Sequence, residues 1–226
     1  WTHLELKRYF GADQLLKPET GKEIYNHCTS LLQQPAYTTR SLLKKMKVET
    51  ICTTDDPADT LEFHQQIKKE KFEILILPTF RPDKAYDVRK PDTYVTYLEK
   101  LSATSGLAVN SFDTLMKALE NRIEFFHSQG CSLADHGLEK ICFPDDRSGY
   151  TPDSLFRKVY QGGDLSAPER EYFMYAVLIQ LSKLYHRKGW TQQFHLGALR
   201  NTNDRKLRSL GPDTGYDSIG DFPQSA

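Results

Sequence analysis

The sequence predicts an α/β fold in which short strands alternate with longer helices around a parallel sheet. Three observations predict it. Short β-branched or apolar runs recur between amphipathic stretches. Prolines, capping residues and glycines mark where those stretches start and stop. Charged or titratable side chains stand at the end of each run.

Residues 1–47 read as a helical segment. Leu4, Leu6, Phe10, Leu15 and Leu16 mark apolar faces, Pro18-Glu19-Thr20 starts a second helix, and residues 41–46 form a short third. Residues 48–226 then carry the strand–helix rhythm. Residues 48–53 are a β-branched first strand, and Asp55-Asp56-Pro57 offers a cap and a first-turn proline to the helix behind it. Residues 72–77 are the second strand, apolar almost throughout, as expected of a strand covered on both faces. Ser111 and Asp113 open an amphipathic helix with Leu115, Leu119, Ile123 and Phe126 on one face. Gly130 stops it, and residues 131–134 begin the third strand. A long helix over 167–188 ends at Gly189, and residues 190–195 follow as the fourth strand. Such alternation fits a parallel sheet, either open or closed into a barrel.

Composition narrows the partners. Thirty basic residues balance thirty acidic ones, which gives no support to a nucleic-acid partner, since binding a phosphate backbone needs a concentrated basic surface. No apolar run approaches the roughly 18 residues of a membrane span. The four cysteines, Cys28, Cys52, Cys131 and Cys142, form no Cys-x-x-Cys pair, so they read as buried thiols of a cytoplasmic protein and not as a structural zinc site. The opening Trp1-Thr2-His3 has neither an initiator Met nor a signal-like apolar stretch, which reads as a fragment.

In a parallel sheet the carboxyl ends of all strands lie on one side, where ligands bind. Asp55 and Asp56 follow the first strand, Arg81 and Asp83 the second, Asp135 and His136 the third, and His195 and Arg200 the fourth. Arg81 is either a solvated loop residue paired with Asp83 or a fixed guanidinium for a carboxylate. Asp135, in Asp-His-Gly-Leu, is either a turn-forming cap or a general base or orienting acceptor. His195, ahead of Gly197, is a candidate metal ligand or proton carrier, and Arg200 is close enough along the chain to reach the same pocket. The Gly- and Asp-rich stretch 210–221 has neither phosphate-loop nor calcium-loop spacing and reads as a turn-rich crossover.

These phrases together resemble the uronate isomerase family of the amidohydrolase superfamily. The matching words are Trp1-Thr2-His3-Leu4-Glu5-Leu6, Cys52-Thr53-Thr54-Asp55-Asp56-Pro57 and Leu77-Pro78-Thr79-Phe80-Arg81-Pro82-Asp83-Lys84-Ala85. Three more follow in family order: Ser132-Leu133-Ala134-Asp135-His136-Gly137-Leu138, His195-Leu196-Gly197-Ala198-Leu199-Arg200-Asn201, and residues 210–221.

The resemblance implies a partial (β/α)8 TIM-type barrel, about strands two to five, preceded by the N-terminal helical segment. It implies metal-assisted interconversion of aldose and ketose uronic acids, D-glucuronate with D-fructuronate and D-galacturonate with D-tagaturonate. The small-molecule uronic acid would be met by Arg81 and Arg200 as substrate-binding groups and by Asp135, His195 and Arg200 as catalytic ones. The cofactor implied is a divalent metal, zinc or else manganese, with His195 at or near it. The family's first-strand His-x-His pair and eighth-strand Asp have no counterpart here, so this polypeptide alone is expected to be inactive. Half a barrel also exposes sheet edges, which invites a homo-oligomer or other association. The competing readings are a metal-dependent hydrolase of the same superfamily and a non-catalytic barrel fragment.

Overall fold

The computed structural model describes residues 1–143 and 149–222. Its helices are α1 (Thr2–Phe10), α2 (Gly21–Leu32), α3 (Thr39–Lys45), α4 (Glu62–Lys69), α5 (Pro91–Ser105), α6 (Phe112–Ser128), α7 (Pro152–Tyr160), α8 (Ala167–Lys188) and α9 (Asp204–Leu210). Its strands are β1 (Thr50–Cys52), β2 (Leu75–Leu77), β3 (Leu133–Leu138), β4 (Thr191–Leu196), β5 (Ala198–Leu199) and β6 (Ser218–Ile219). The chain forms two compact units, 1–51 with 71–76, and 52–70 with 77–226.

The smaller unit is helical and thinly cored: Ile24 and Ile74 are its fully buried apolar side chains among the described residues. Polar and cationic contacts tie its elements together instead. Lys45 Nζ donates to the Tyr9 carbonyl at 2.6 Å, His27 Nε2 lies 2.8 Å from the Phe10 carbonyl, and Arg40 and Lys44 both stand over the Phe72 ring.

The larger unit holds an aromatic-rich core. α5 buries Tyr94, Tyr97, Leu98 and Leu101, spaced as one helical face; α6 buries Leu115, Leu119, Ile123 and Phe126; α8 buries Phe173, Val177, Leu181 and Tyr185. The helix boundaries follow local chemistry. Ser111, Thr151 and Ser166 each close a capping box, with Pro152 and Pro168 in the first turns of α7 and α8. α8 stops at Gly189, whose φ of 67° is a conformation that glycine adopts without steric cost.

Around Phe80, residues 53–55, 77–81 and 133–135 pair in parallel. Thr53 N donates to the Leu77 carbonyl, and Asp55 N to the Thr79 carbonyl. Phe80 bridges Asp55 on one side and Ala134 on the other, both in parallel. β3 then pairs with β4 in parallel, Ala134 opposite Gln192 and Gly137 opposite His195. The Phe80 ring is fully buried against Phe126, Tyr185 and Trp190, their centroids 5.1–6.1 Å away.

Several expectations change. The third strand runs through Asp135, His136 and Gly137 and does not end before them, because Asp135 N donates to the Phe80 carbonyl and extends the ladder. Asp55-Asp56-Pro57 does not start a helix. Asp56 and Asp59 carboxylates accept from the backbone of Ala58 and Asp56, closing a turn, and α4 begins only after Leu61 at φ 55°. β2 is not covered on both faces, since Leu75 is 53% exposed. Cys131 and Cys142 are buried, but Cys52 is exposed and Cys28 half-buried.

The turn after β1 is fastened by Arg122 of α6, which is 5% exposed. Its guanidinium donates to the carbonyls of Pro57 (2.7 Å), Asp59 (2.8 Å) and Thr104 (3.1 Å), with its face 4.2 Å from the Phe125 ring centre. Arg122→Met keeps the stem but strands those carbonyls. It is expected to lower unfolding stability by about 2 kcal/mol or more, read by urea denaturation; a midpoint matching the parent protein's would contradict this fastening role.

Candidate active site

Strand alternation builds the site. Phe80, Ala134, His136 and Phe194 share the inner face of the ladder: Phe80 and Ala134 are fully buried, and the His136 ring stacks on Phe194 with centroids 5.5 Å apart. The alternate residues Arg81, Asp135, Gly137, Gln193 and His195 therefore fall on the opposite face. Asp135 is its centre. The carboxylate is 5% exposed, with Oδ2 3.3 Å from Arg81 Nη1 and Oδ1 2.9 Å from His195 Nδ1. The second contact lacks the alignment of a hydrogen bond, so Asp135 Oδ1 has an ion-pair neighbour and unused accepting capacity.

The His195 ring is about half exposed, and its Nε2 lies 2.8 Å from Gln193 Nε2. An amide nitrogen can only donate, so Nε2 accepts and the neutral ring carries its proton on Nδ1, facing Asp135. Arg81 is held on its other edge by Asp83, with Nε to Oδ2 at 2.8 Å. Burial opposes the Arg81 charge. The Asp83 hydrogen bond and the negative charges of Asp83 and Asp135 outweigh that and hold its pKa above the usual value. A Cβ at position 137 would lie 2.2 Å from Arg81 Nη2 and 3.0 Å from Asp83 Oδ2, so these side chains would have to shift to admit one.

Arg81, Asp135 and His195 thus form one connected group. Arg200 does not join it among the described residues. Its Nη1 pairs with Asp217 Oδ2 at 2.5 Å, across the antiparallel β5–β6 pair that the 210–221 stretch closes. Asp217 also accepts from Asn201 N, and that bond, followed by Arg200, holds its carboxyl below the usual range. Asp55 also faces elsewhere, accepting from Thr53 Oγ1 at 2.6 Å with His64 alongside.

Sequence reasoning passed over Tyr86 and left His136 without a role. Tyr86 donates its hydroxyl proton to Asp83 Oδ1 at 2.5 Å and lies 3.3 Å from His136 Nδ1. Burial, then the Asp83 charge, drives the Tyr86 pKa far up, so the phenol stays neutral. The signal available was the spacing from Asp83 to Tyr86, three residues across a tight turn.

The described residues contain no group of three or more His, Cys, Asp or Glu placed to hold a metal. Asp135 and His195 are the two donors at hand, and both His195 nitrogens already have protein neighbours. These residues do not by themselves make a metal centre. Cys131, whose thiol is pushed up to about 11 by burial, is no nucleophile.

Comparison with known proteins adds a lineage to this geometry. The sequence model of glucuronate isomerase matches residues 1–226. The chain belongs to the glucuronate isomerase family. It is 48% identical over 222 residues to a uronate isomerase of Bacteroides thetaiotaomicron, covering 98% of this chain and 47% of that protein. It is 48% identical over 225 residues to one of Flavobacterium johnsoniae, covering 100% and 48%. The crystal structure of a uronate isomerase from Thermotoga maritima superposes with a TM-score of 0.87 at 34% identity, over 98% of this chain and 48% of the other. A glucuronate isomerase from Caulobacter crescentus gives 0.88 at 26%, over 100% and 46%. The chain spans about half the length of the curated relatives it matches. No helix among the described residues is long and apolar enough to cross a membrane.

The buried His136 ring makes stability depend on pH. His136 is fully buried, and desolvation lowers its pKa to about 4 from 6.5, with Asp83 only partly offsetting that. The unfolded ring binds a proton below about pH 6.5 while the folded one stays neutral. Stability from this group is therefore intact above 6.5 and lost as pH falls toward 4, by about 3 kcal/mol in all. Urea denaturation at pH 7, 5.5 and 4.5 should show a steeper acid-side loss in the parent protein than in His136→Gln. Parallel losses would show that His136 titrates alike folded and unfolded.

Proposed function

We propose that the protein interconverts aldose and ketose uronic acids, D-glucuronate with D-fructuronate and D-galacturonate with D-tagaturonate. The four parallel strands would be strands two to five of a (β/α)8 barrel, with the site on the carboxyl side of the ladder. The observation that carries the reading is the buried Asp135 carboxylate between Arg81 and His195, in a chain whose relatives are named uronate isomerase.

Moving the carbonyl from C1 to C2 requires removing the C2 proton and returning one to C1 through an enediol. Charge builds on both oxygens as it forms, and fixed donors must meet it. Arg81 supplies a guanidinium for the substrate carboxylate or an adjacent oxygen. Asp135, with Oδ1 free to accept, orients or deprotonates a sugar hydroxyl. His195, with its proton on Nδ1, is the movable donor next to it.

Arg200 is assigned to hydroxyls or carboxylate at the far end of the sugar, which would need it to exchange Asp217 for substrate. A divalent metal, zinc or manganese, belongs to the same proposal, with His195 as the donor from this chain and the remaining donors from outside the described residues. Arg81, Asp83 and Asp135 together sum to one negative charge, which favours a cation beside this group.

The test is kcat/KM for D-glucuronate in the protein expressed from its complete reading frame, with zinc or manganese added. Asp135→Asn is expected to lower it by about 100-fold or more, the usual contribution of a positioned acid–base group, with its melting temperature little changed. A loss within about twofold, under roughly 0.4 kcal/mol of transition-state stabilisation, would remove Asp135 from the chemistry. A parent protein that cleaves esters, amides or lactones but leaves uronic acids unchanged would make it a hydrolase.

A further inference from the structure

Arg81 is surrounded by more structure than an ion pair needs. A guanidinium offers five N–H bonds in a rigid fork. Nε is taken by Asp83 Oδ2 at 2.8 Å, Nη1 faces Asp135 Oδ2 at 3.3 Å, and Nη2 occupies the space that a side chain at 137 would fill. Asp83 is itself pinned on both oxygens. Oδ1 accepts from Tyr86 at 2.5 Å, and the Gly137 N–H points at the carboxylate, 3.1 Å from Oδ2 and 3.3 Å from Oδ1.

Tyr86 is in turn fixed from behind. It is 6% exposed, and because its proton goes to Asp83, the contact with His136 Nδ1 must be a donation from the imidazole to the phenol oxygen. Asp83 lies in a short 3-10 turn directly after Pro82, where Asp87 N donates back to the Asp83 carbonyl and Ala85 is fully buried. These contacts hold the carboxylate against Arg81.

We propose that Asp83 is the positioning residue of Arg81: held by Tyr86 and by the backbone of Gly137, it fixes the guanidinium so that its Nη edge is presented beside Asp135. Resting on the isomerase reading, this means that Asp83 sets how well the substrate is gripped without touching it. A free arginine samples many rotamers, and ordering it costs binding energy when a ligand arrives; a guanidinium fixed beforehand avoids that cost. Asp83→Asn keeps the shape and one acceptor but removes the charge that holds Nε.

The test is a double-mutant cycle in the protein expressed from its complete reading frame, using Asp83→Asn, Arg81→Gln and the pair. Asp83→Asn should raise KM for D-glucuronate by about tenfold with a smaller change in kcat. In the Arg81→Gln background it should change nothing further, because the group it acts through is gone. A merely structural carboxylate would lower the melting temperature and cost activity equally in both backgrounds, and that additivity would overturn the proposal. So would an Asp83→Asn protein with the parent KM. Should Asp83→Asn not fold, Tyr86→Phe, which leaves both charges in place, carries the same cycle with a smaller KM rise expected.

Crystal structures of the parent protein and Asp83→Asn give a readout that needs no activity. The guanidinium should leave the Gly137 edge in the variant; one that stays would refute the positioning role even if the isomerase reading fails. A parent protein inactive on uronic acids, with Arg81 displaced in the variant, would refute only the isomerase reading.

Discussion

The site depends on the backbone of Phe80. Its N–H donates to the Leu133 carbonyl and its carbonyl accepts from Asp135 N, while its neighbour Arg81 donates its own N–H to Asp55. One residue thus joins the strands on either side. The pleat then sends the Phe80 ring into the helices and the Arg81 side chain the other way, toward Asp135. Were the register of this ladder shifted by one residue, the phenyl ring would face the rim and the guanidinium the core. The buried aromatic packing of Phe80 with Phe126, Tyr185 and Trp190 specifies the register that the site needs.

Two layers of polar chemistry sit on that frame. Arg81 and His195 are partly exposed on the carboxyl side, with Asp135 buried between them. Asp83, Tyr86 and His136 stand beside or behind them, with hydrogen bonds used up within the protein or, for the His136 ring, a location in the dry interior. That division agrees with their chemistry. A group that must meet a substrate keeps a free lone pair or N–H, as Asp135 Oδ1 and the Arg81 Nη edge do; a group that holds another in place has both ends occupied. The charge balance agrees too, because three charged groups summing to one negative charge leave room for a cation or a proton.

Much of this was legible in the residues and some was not. The bounds of α8 were readable from Ser166 and Gly189, because capping and left-handed termination are local events. α5 and α7 carry equally local signs, Pro91 and the Thr151–Ser154 capping box, with Tyr94, Tyr97, Leu98 and Leu101 at helical spacing. The course of β3 was different in kind. Asp-His-Gly has low strand propensity, and only pairing with Phe80 and with β4 keeps it extended. The pairing of Arg200 with Asp217 bridges residues 17 positions apart, and the Tyr86–His136 contact bridges 50; such partners are set by tertiary folding and leave no periodicity to read.

The account is tested most directly by the crystal structure of the protein from its complete reading frame with D-glucarate, a six-carbon diacid without a carbonyl to isomerise. The central claim predicts a carboxylate or hydroxyl oxygen of the ligand at about 3 Å from an Arg81 Nη atom and another at a similar distance from the half-exposed His195 ring or the Asp135 carboxylate beside it. A ligand bound away from the Arg81–Asp135–His195 face, with that group unchanged, would contradict it.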